Sequence, residues 1–253
     1  MFKNKKFAGY AVVFMILGLL YMFFYSGLQN DHINILTPFL AENYGWSNMQ
    51  ITNPVTVGGI FVIAFYLICG AALVKFGVRI IMVPCTVILG LACMGIAIAG
   101  ENYTIYAISL FLVRVLVVPL QMGGFMLAAN WFIKYRGRVL GIITAGSPLF
   151  SVVGISVLTL LANSIGIKQG YIVIGIIVLV MAAATQFLLK DTPEDAGLFP
   201  DGADSAPKSE QGEEATITVK KLLSEGRAWQ LIISYGIMQF VIVAMMAFMG
   251  SSK

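Results

Sequence analysis

From Leu110 to Phe150 the chain reads LFLVRVLVVPLQMGGFMLAANWFIKYRGRVLGIITAGSPLF. An apolar run of bilayer-crossing length carries a single charge, Arg114. A basic turn follows, Asn130-Trp131-Phe132-Ile133-Lys134-Tyr135-Arg136-Gly137-Arg138, and then a second apolar run begins. An ionised guanidinium within hydrocarbon costs about 2.5–3.5 kcal/mol or more unless something nearby uses it. Lys134, Arg136 and Arg138 between two such runs mark the turn as cytoplasmic. One hairpin thus holds a functional candidate and a topological anchor.

Composition extends this reading to the whole chain. Of 253 residues, 59% are hydrophobic and only 11% are charged, and the mean hydropathy is +0.89. Soluble domains carry about 25% charged residues. Long uncharged runs recur, which makes this an all-α polytopic membrane protein. The net charge of +4 is spread over short loops rather than gathered on one face, so no nucleic-acid partner is expected.

Lys3, Lys5 and Lys6 precede a first span, Ala8 to Leu28, which is too long for a signal-peptide core and has no small-residue cleavage site after it. Gly18, Tyr21, Tyr25 and Gln29 recur at steps of three and four and share a face. That face either lines a polar cavity or serves packing and interfacial anchoring. Asn30 to Gln50 reads as an external loop containing Asp31, His32, Glu42 and Trp46. The next spans run from about Ile51 to Val74, Ile80 to Ala99, Ile105 to Ala129, Val139 to Ala162 and Tyr171 to Leu189. From Lys190 to about Arg227 the chain is rich in Pro, Asp, Glu, Ser and Gly, a composition that does not order itself. Within it, Thr218 to Glu225 has the pattern of a short surface helix, with Leu222 and Leu223 toward the bilayer. A seventh apolar run, Ala228 to Gly250, carries no charge.

The expected domain plan is a six-helix N-terminal bundle (1–189), a cytoplasmic linker (190–227) and a seventh transmembrane helix (228–253). Eight short-loop cations, Lys3, Lys5, Lys6, Lys75, Arg79, Lys134, Arg136 and Arg138, would lie inside, against Lys168 outside. This asymmetry puts the N-terminus in the cytoplasm.

Six spans, a long hydrophilic segment and a further span resemble the major facilitator superfamily of secondary transporters. That superfamily's loop signature between helices 2 and 3 is Gly-x-x-x-Asp-Arg-x-Gly-Arg-Arg. Gly70, Lys75, Gly77 and Arg79 fit it, whereas Val74 stands at the acidic position and leaves the gate without its usual acid. Leu110 and Arg114 resemble the start of the helix 4 signature, with Gln121 and Gly123 displaced and Pro119 between. Asn130-Trp131-Phe132 with Arg136-Gly137 and Gly141, and the stretch DTPEDAGLFPDG from Asp191 to Gly202, resemble the oxalate/formate antiporter and monocarboxylate transporter branch. The resemblance implies alternating access in a prokaryotic inner membrane and a small organic anion as substrate. It also implies that a second half, supplied by further chain or by another copy, completes the site. In that branch the anion-binding Arg lies in the second half, which assigns Arg114 to gating or coupling. The alternative is a fragment that does not transport, or a half-transporter that needs a partner chain.

By its own chemistry, Arg114 near mid-membrane either forks onto a carboxylate or bonds carbonyls and polar neighbours to hold helices together. The functional role is favoured. Gln121, seven residues on, faces the same way. Gly141, Gly146 and Gly154 around Pro148 point to close packing and a bend. Thr144, Ser147 and Ser151 share a face as candidate donors to a substrate. His32 reads as a solvated loop residue rather than a metal ligand.

Other chemistries find little footing. Cys69, Cys85 and Cys93 form no CxxC pair, and no phosphate-binding Gly-Lys loop points to ATP. No enzyme activity, metal or cofactor is expected. The seventh span lacks the Lys a retinal protein needs, and no Ser/His or paired-Asp set lies at depth for a hydrolase. With no acid within the spans, anion exchange fits better than proton coupling; Asp31, at the outer end of span 1, is the nearest candidate carrier.

Overall fold

Three of the spans begin where a side chain of the N-cap residue satisfies the orphan amides of the helix start. In the computed structural model, which describes residues 4–203 and 224–251, Asn4 Oδ1 accepts from Lys6 N and Phe7 N at 3.0 and 3.3 Å and opens α1 (Lys5–Ser26). Ser47 and Gln50 form a reciprocal capping box at the start of α3 (Asn48–Phe76). Asn102 caps α5 (Tyr103–Leu116).

The chain divides into two units, Met1–Pro207 and Lys208–Lys253. The first is a helical bundle with six spans long and apolar enough to cross a membrane, and no strand occurs among the described residues. Span 1 is the main departure from the sequence expectation. Instead of stopping near Leu28, α1 passes through a π-helical segment, Gly27–Asp31, into α2 (His32–Tyr44). The resulting span covers Lys5–Tyr44. The expected external loop shrinks to Gly45, Trp46 and Ser47, with Gly45 in the left-handed region at φ 66°. Asp31 and His32 therefore lie inside a helix. His32 is buried, not solvated, and its Nδ1 lies 2.8 Å from the Tyr171 hydroxyl.

After α3 come α4 (Val78–Ala99), α5, and α6 (Val118–Trp131). α5 and α6 form one span broken at Val117, where Pro119 has no amide to continue the ladder. The fifth span is more fragmented: α7 (Arg136–Thr144), α8 (Gly146–Leu149), a second π segment (Phe150–Gly154) and α9 (Ile155–Ser164). α10 (Ile167–Leu188) closes the bundle against α4. Their backbones approach where a Cβ on Gly175 would stand 2.8 Å from the Gly90 carbonyl. Close approach through small residues is what drives helix association where burial from water does not.

The stretch expected to remain unordered is instead tied down over residues 190–203. Leu198 joins the hydrophobic core and Pro193 and Pro200 are buried, and two carboxylates add polar anchors. Asp191 Oδ1 accepts from Arg79 N at 2.8 Å at the start of α4. The Asp201 carboxylate accepts from Ile133 N, Lys134 N and Tyr135 N at 3.0, 2.7 and 3.4 Å, so it gathers the amides ahead of α7. Trp131, packed on Phe7, Tyr10 and Phe14 at ring-centroid distances of 5.9, 5.5 and 4.3 Å, donates its indole N–H to the Lys190 carbonyl at 3.0 Å. The second unit contains α11 (Gly226–Ser251). Most of the surface helix expected at Thr218–Glu225 lies outside the described residues.

Candidate functional site

Arg114 sits 11 residues from the Tyr103 end of its span, about 16 Å at about 1.5 Å per residue. Its stem crosses α3 at Gly58, where a Cβ would come within 2.9 Å of the Arg114 Cγ. Its Nη1 donates to the backbone carbonyl of Gln29. The position of Gln29 explains why that carbonyl is available. The π segment widens the ladder from Gly27 to Asp31, with His32 N bonding back to Gly27 O, and takes nearby carbonyls out of α register. The Gln29 side-chain Oε1 is itself buried without a hydrogen-bond partner among the described residues.

Next to this contact runs a directional chain of hydrogen bonds. The Tyr66 hydroxyl donates to Gln121 Oε1 at 2.7 Å. Its one proton is thereby committed, so the Tyr25 hydroxyl, 3.1 Å away, donates to Tyr66. The Gln121 carbonyl oxygen is engaged, whereas its NH2 donors make no hydrogen bond among the described residues. α1, the π segment after it, α3, α5 and α6 thus bring Tyr25, Gln29, Tyr66, Arg114 and Gln121 to one half-buried polar seam. Tyr66 is one aromatic residue within span 2, and nothing in the local sequence singles it out. Its place here depends on how α3 lies against α1 and α6.

Other candidate residues are placed elsewhere or differently. Tyr21 is buried and bonds Thr185 Oγ1 at 2.6 Å, tying α1 to α10 rather than entering the seam. Ser147 Oγ donates to Ser26 Oγ at 3.0 Å, and Ser151 Oγ to Asp31 Oδ2 at 3.3 Å. Both reach the α1 side, where the two π segments adjoin. Thr144 is exposed and turns its hydroxyl back to Leu140 O and Gly141 O at 2.8 and 3.1 Å, so it does not share their partner. Asp31, half-buried, lies about 20 Å from the Tyr44 end of its span. An acidic residue is therefore present within a span, contrary to the sequence expectation. The stop at Leu28 misled because Gly27, Gln29, Asn30 and Asp31 resemble a helix end. The backbone instead continues through them as a π turn into the next helix.

At the cation-rich end, Gly77 adopts φ 90° between α3 and α4. A Cβ there would collide with the Asp191 carboxylate. Arg79 Nε reaches Gln186 Oε1 at 3.4 Å. Lys75 lies over the Phe76 ring at 5.2 Å, and Gly70 faces Met122. In the basic turn, Arg136 donates to Phe132 O and Ala129 O at 3.0 and 2.8 Å, which caps the end of α6. Lys134 and Arg138 flank the Tyr135 ring at 5.8 and 5.9 Å. Among the described residues no cluster of three His, Cys, Asp or Glu side chains is arranged to hold a metal.

A multi-pass helical bundle with a buried-stem arginine and a polar seam between its spans defines the class of a membrane transporter. The family model of the Major Facilitator Superfamily matches residues 8–252, and the chain belongs to that superfamily, whose members are secondary transporters rather than enzymes. No curated protein matches the chain.

Proposed function

We propose that this secondary transporter moves a small organic anion, a mono- or dicarboxylate, by alternating access in the plasma (inner) membrane. The observation that carries this is the seam's donor character. Arg114 brings a guanidinium into the span, and Gln121 is oriented by Tyr66 with its NH2 left to donate. A carboxylate entering there exchanges water for charge-assisted hydrogen bonds. The likeness of Asn130–Gly141 and Asp191–Gly202 to the oxalate/formate branch supports the same substrate class. In this reading residues 1–189 rock as one bundle, 190–227 link it onward, and 228–253 begin the opposing bundle, supplied by further chain or a second copy. Arg114 then acts on this half of the path as a gating or coupling donor.

The test is uptake of labelled oxalate, formate and lactate into proteoliposomes. Arg114→Ala is expected to abolish uptake with membrane insertion unchanged, and Arg114→Lys to retain less than about a tenth, because a point charge does not reproduce the fork. Wild-type uptake by Arg114→Ala at equal expression refutes the role given to Arg114.

Asp31 supports a second coupling mode, proton symport, because it places a titratable carboxylate at the depth of the seam. Anion exchange without a pH gradient, unaffected by Asp31→Asn, identifies an antiporter. Uptake driven by an inward proton gradient and lost in Asp31→Asn, with exchange preserved, identifies symport.

A further inference from the structure

A cavity of about 340 Å³ lies apart from the seam, at the cation-rich end of the bundle. It is lined by Lys6, Gly9, Tyr10 and Val13 of α1 and its start, and by Phe187, Leu188 and Lys190 at the end of α10. Its walls are of two kinds. Phe187 is 80% exposed and Leu188 49% exposed, and with Val13 they form an apolar trough on the outside of the bundle. At the helix ends above the trough stand two ammonium groups. Lys6 gives one of its donors to the Ala196 carbonyl at 3.2 Å, and an ammonium has three. The Lys190 backbone is held by Trp131 through its carbonyl, so its side chain springs from a fixed point. Gly9 lies between, and nothing stands within 4 Å of where its Cβ would be, so the middle of the cavity is open. In the turn that follows Lys190, Asp195 accepts from Thr192 N at 3.1 Å.

We propose that this groove is a binding site for an anionic glycerophospholipid. Its phosphodiester sits between Lys6 and Lys190, and one acyl chain lies along Val13, Phe187 and Leu188. Charge and polarity run in the lipid's own order, with cations at the helix ends, Tyr10 at the boundary and apolar side chains toward the membrane interior. A soluble anion uses only the lysines, and a zwitterionic lipid brings a choline cation toward them. The site is independent of the transport reading, since none of its residues belongs to the seam.

The test is native mass spectrometry of the full chain, delipidated and then given equal phosphatidylglycerol and phosphatidylcholine. The wild type is expected to retain phosphatidylglycerol preferentially. Each lysine contributes roughly 5-fold to that preference at low ionic strength, so Lys6→Gln/Lys190→Gln brings it to parity. Lys75→Gln, a cation at the same end but outside the groove, leaves it unchanged. Gly9→Trp fills the open centre with both lysines intact and is expected to abolish retention, which separates the groove from general charge attraction. Equal retention of the two lipids by the wild type, a preference that survives the double substitution, or retention by Gly9→Trp would each overturn the proposal. Displacement of the lipid by inorganic phosphate would also overturn it and assign the lysines to a soluble anion.

Discussion

At the residue scale, α1 and the fifth span meet through positions that have no room for a side chain. A Cβ on Gly146 would collide with the Leu19 carbonyl, and one on Gly27 with the Phe150 ring. These two contacts differ in what can yield. Phe150 is a side chain and Leu19 O is backbone. Gly27→Ala is therefore expected to lower stability by about 1–3 kcal/mol, as overpacking does, with recovery when Phe150 is also shortened to Leu. Gly146→Ala is expected to cost more and to resist rescue by any neighbouring side-chain change. Thermal unfolding in detergent, followed as loss of the monodisperse peak, measures both. A Gly27→Ala defect untouched by Phe150→Leu would show that the contact is not the cause. Tyr21 gives a milder case. Thr185 keeps its own bond to Met181 O at 2.7 Å, so Tyr21→Phe should cost about 1 kcal/mol in the same assay.

At the element scale, the segment after α10 works as a strap. Asp191 replaces a missing helix cap at Arg79 N, and Asp201 collects three amides of the Phe132–Arg136 turn. Asp201 adopts φ 58°, the one positive φ at a non-glycine residue among those described, a conformation Asp tolerates better than most. Each aspartate acts as a cap for orphan donors. Asp191→Ala is expected to destabilise by about 0.5–2 kcal/mol, and Asp201→Ala by more, because it releases three amides. Limited proteolysis between residues 190 and 203 should accelerate in both variants. Unchanged cleavage would mean that other contacts hold the strap. The first signature loop carries Val74 at the position the superfamily pattern gives to an acid, yet an acid far along the chain, Asp191, stands at that loop.

At the scale of the whole molecule, the spans differ in how much of themselves they bury. α3 leaves Ile60, Ile63 and Leu67 exposed at 68, 72 and 75%, and the fifth span leaves Val152 and Leu160 at 71 and 67%. Such surface is stable only under lipid or another apolar face. The orientation expected from charge makes a separate prediction. In a background with Cys69, Cys85 and Cys93 replaced by Ala, a cysteine at Lys168 should react with an impermeant maleimide in intact cells. One at Lys134 should react only after permeabilisation. The opposite pattern would invert the topology assigned from the positive-inside bias.

What the sequence determined by itself was the membrane class, the helical fold and the location of Arg114. All three follow from hydropathy and from single charges too costly to place at random in hydrocarbon. The loop and helix 4 signatures were enough to reach the superfamily. Tertiary structure decided what the helices do where the local code is ambiguous. Gly27 to Asp31 reads as a helix end, and is a π turn in a setting the local sequence does not show, with Phe150 packed against Gly27 and Arg114 on the Gln29 carbonyl. The polar stretch from 190 to 203 reads as disordered, and is ordered because its carboxylates take distant amides and its Leu198 joins the core. Periodicity puts Tyr21 and Tyr25 on one face, but their hydroxyls part, one to Thr185 and the other to Tyr66. Which neighbour a helix face meets is set by packing between segments far apart in the chain, and no local pattern encodes it.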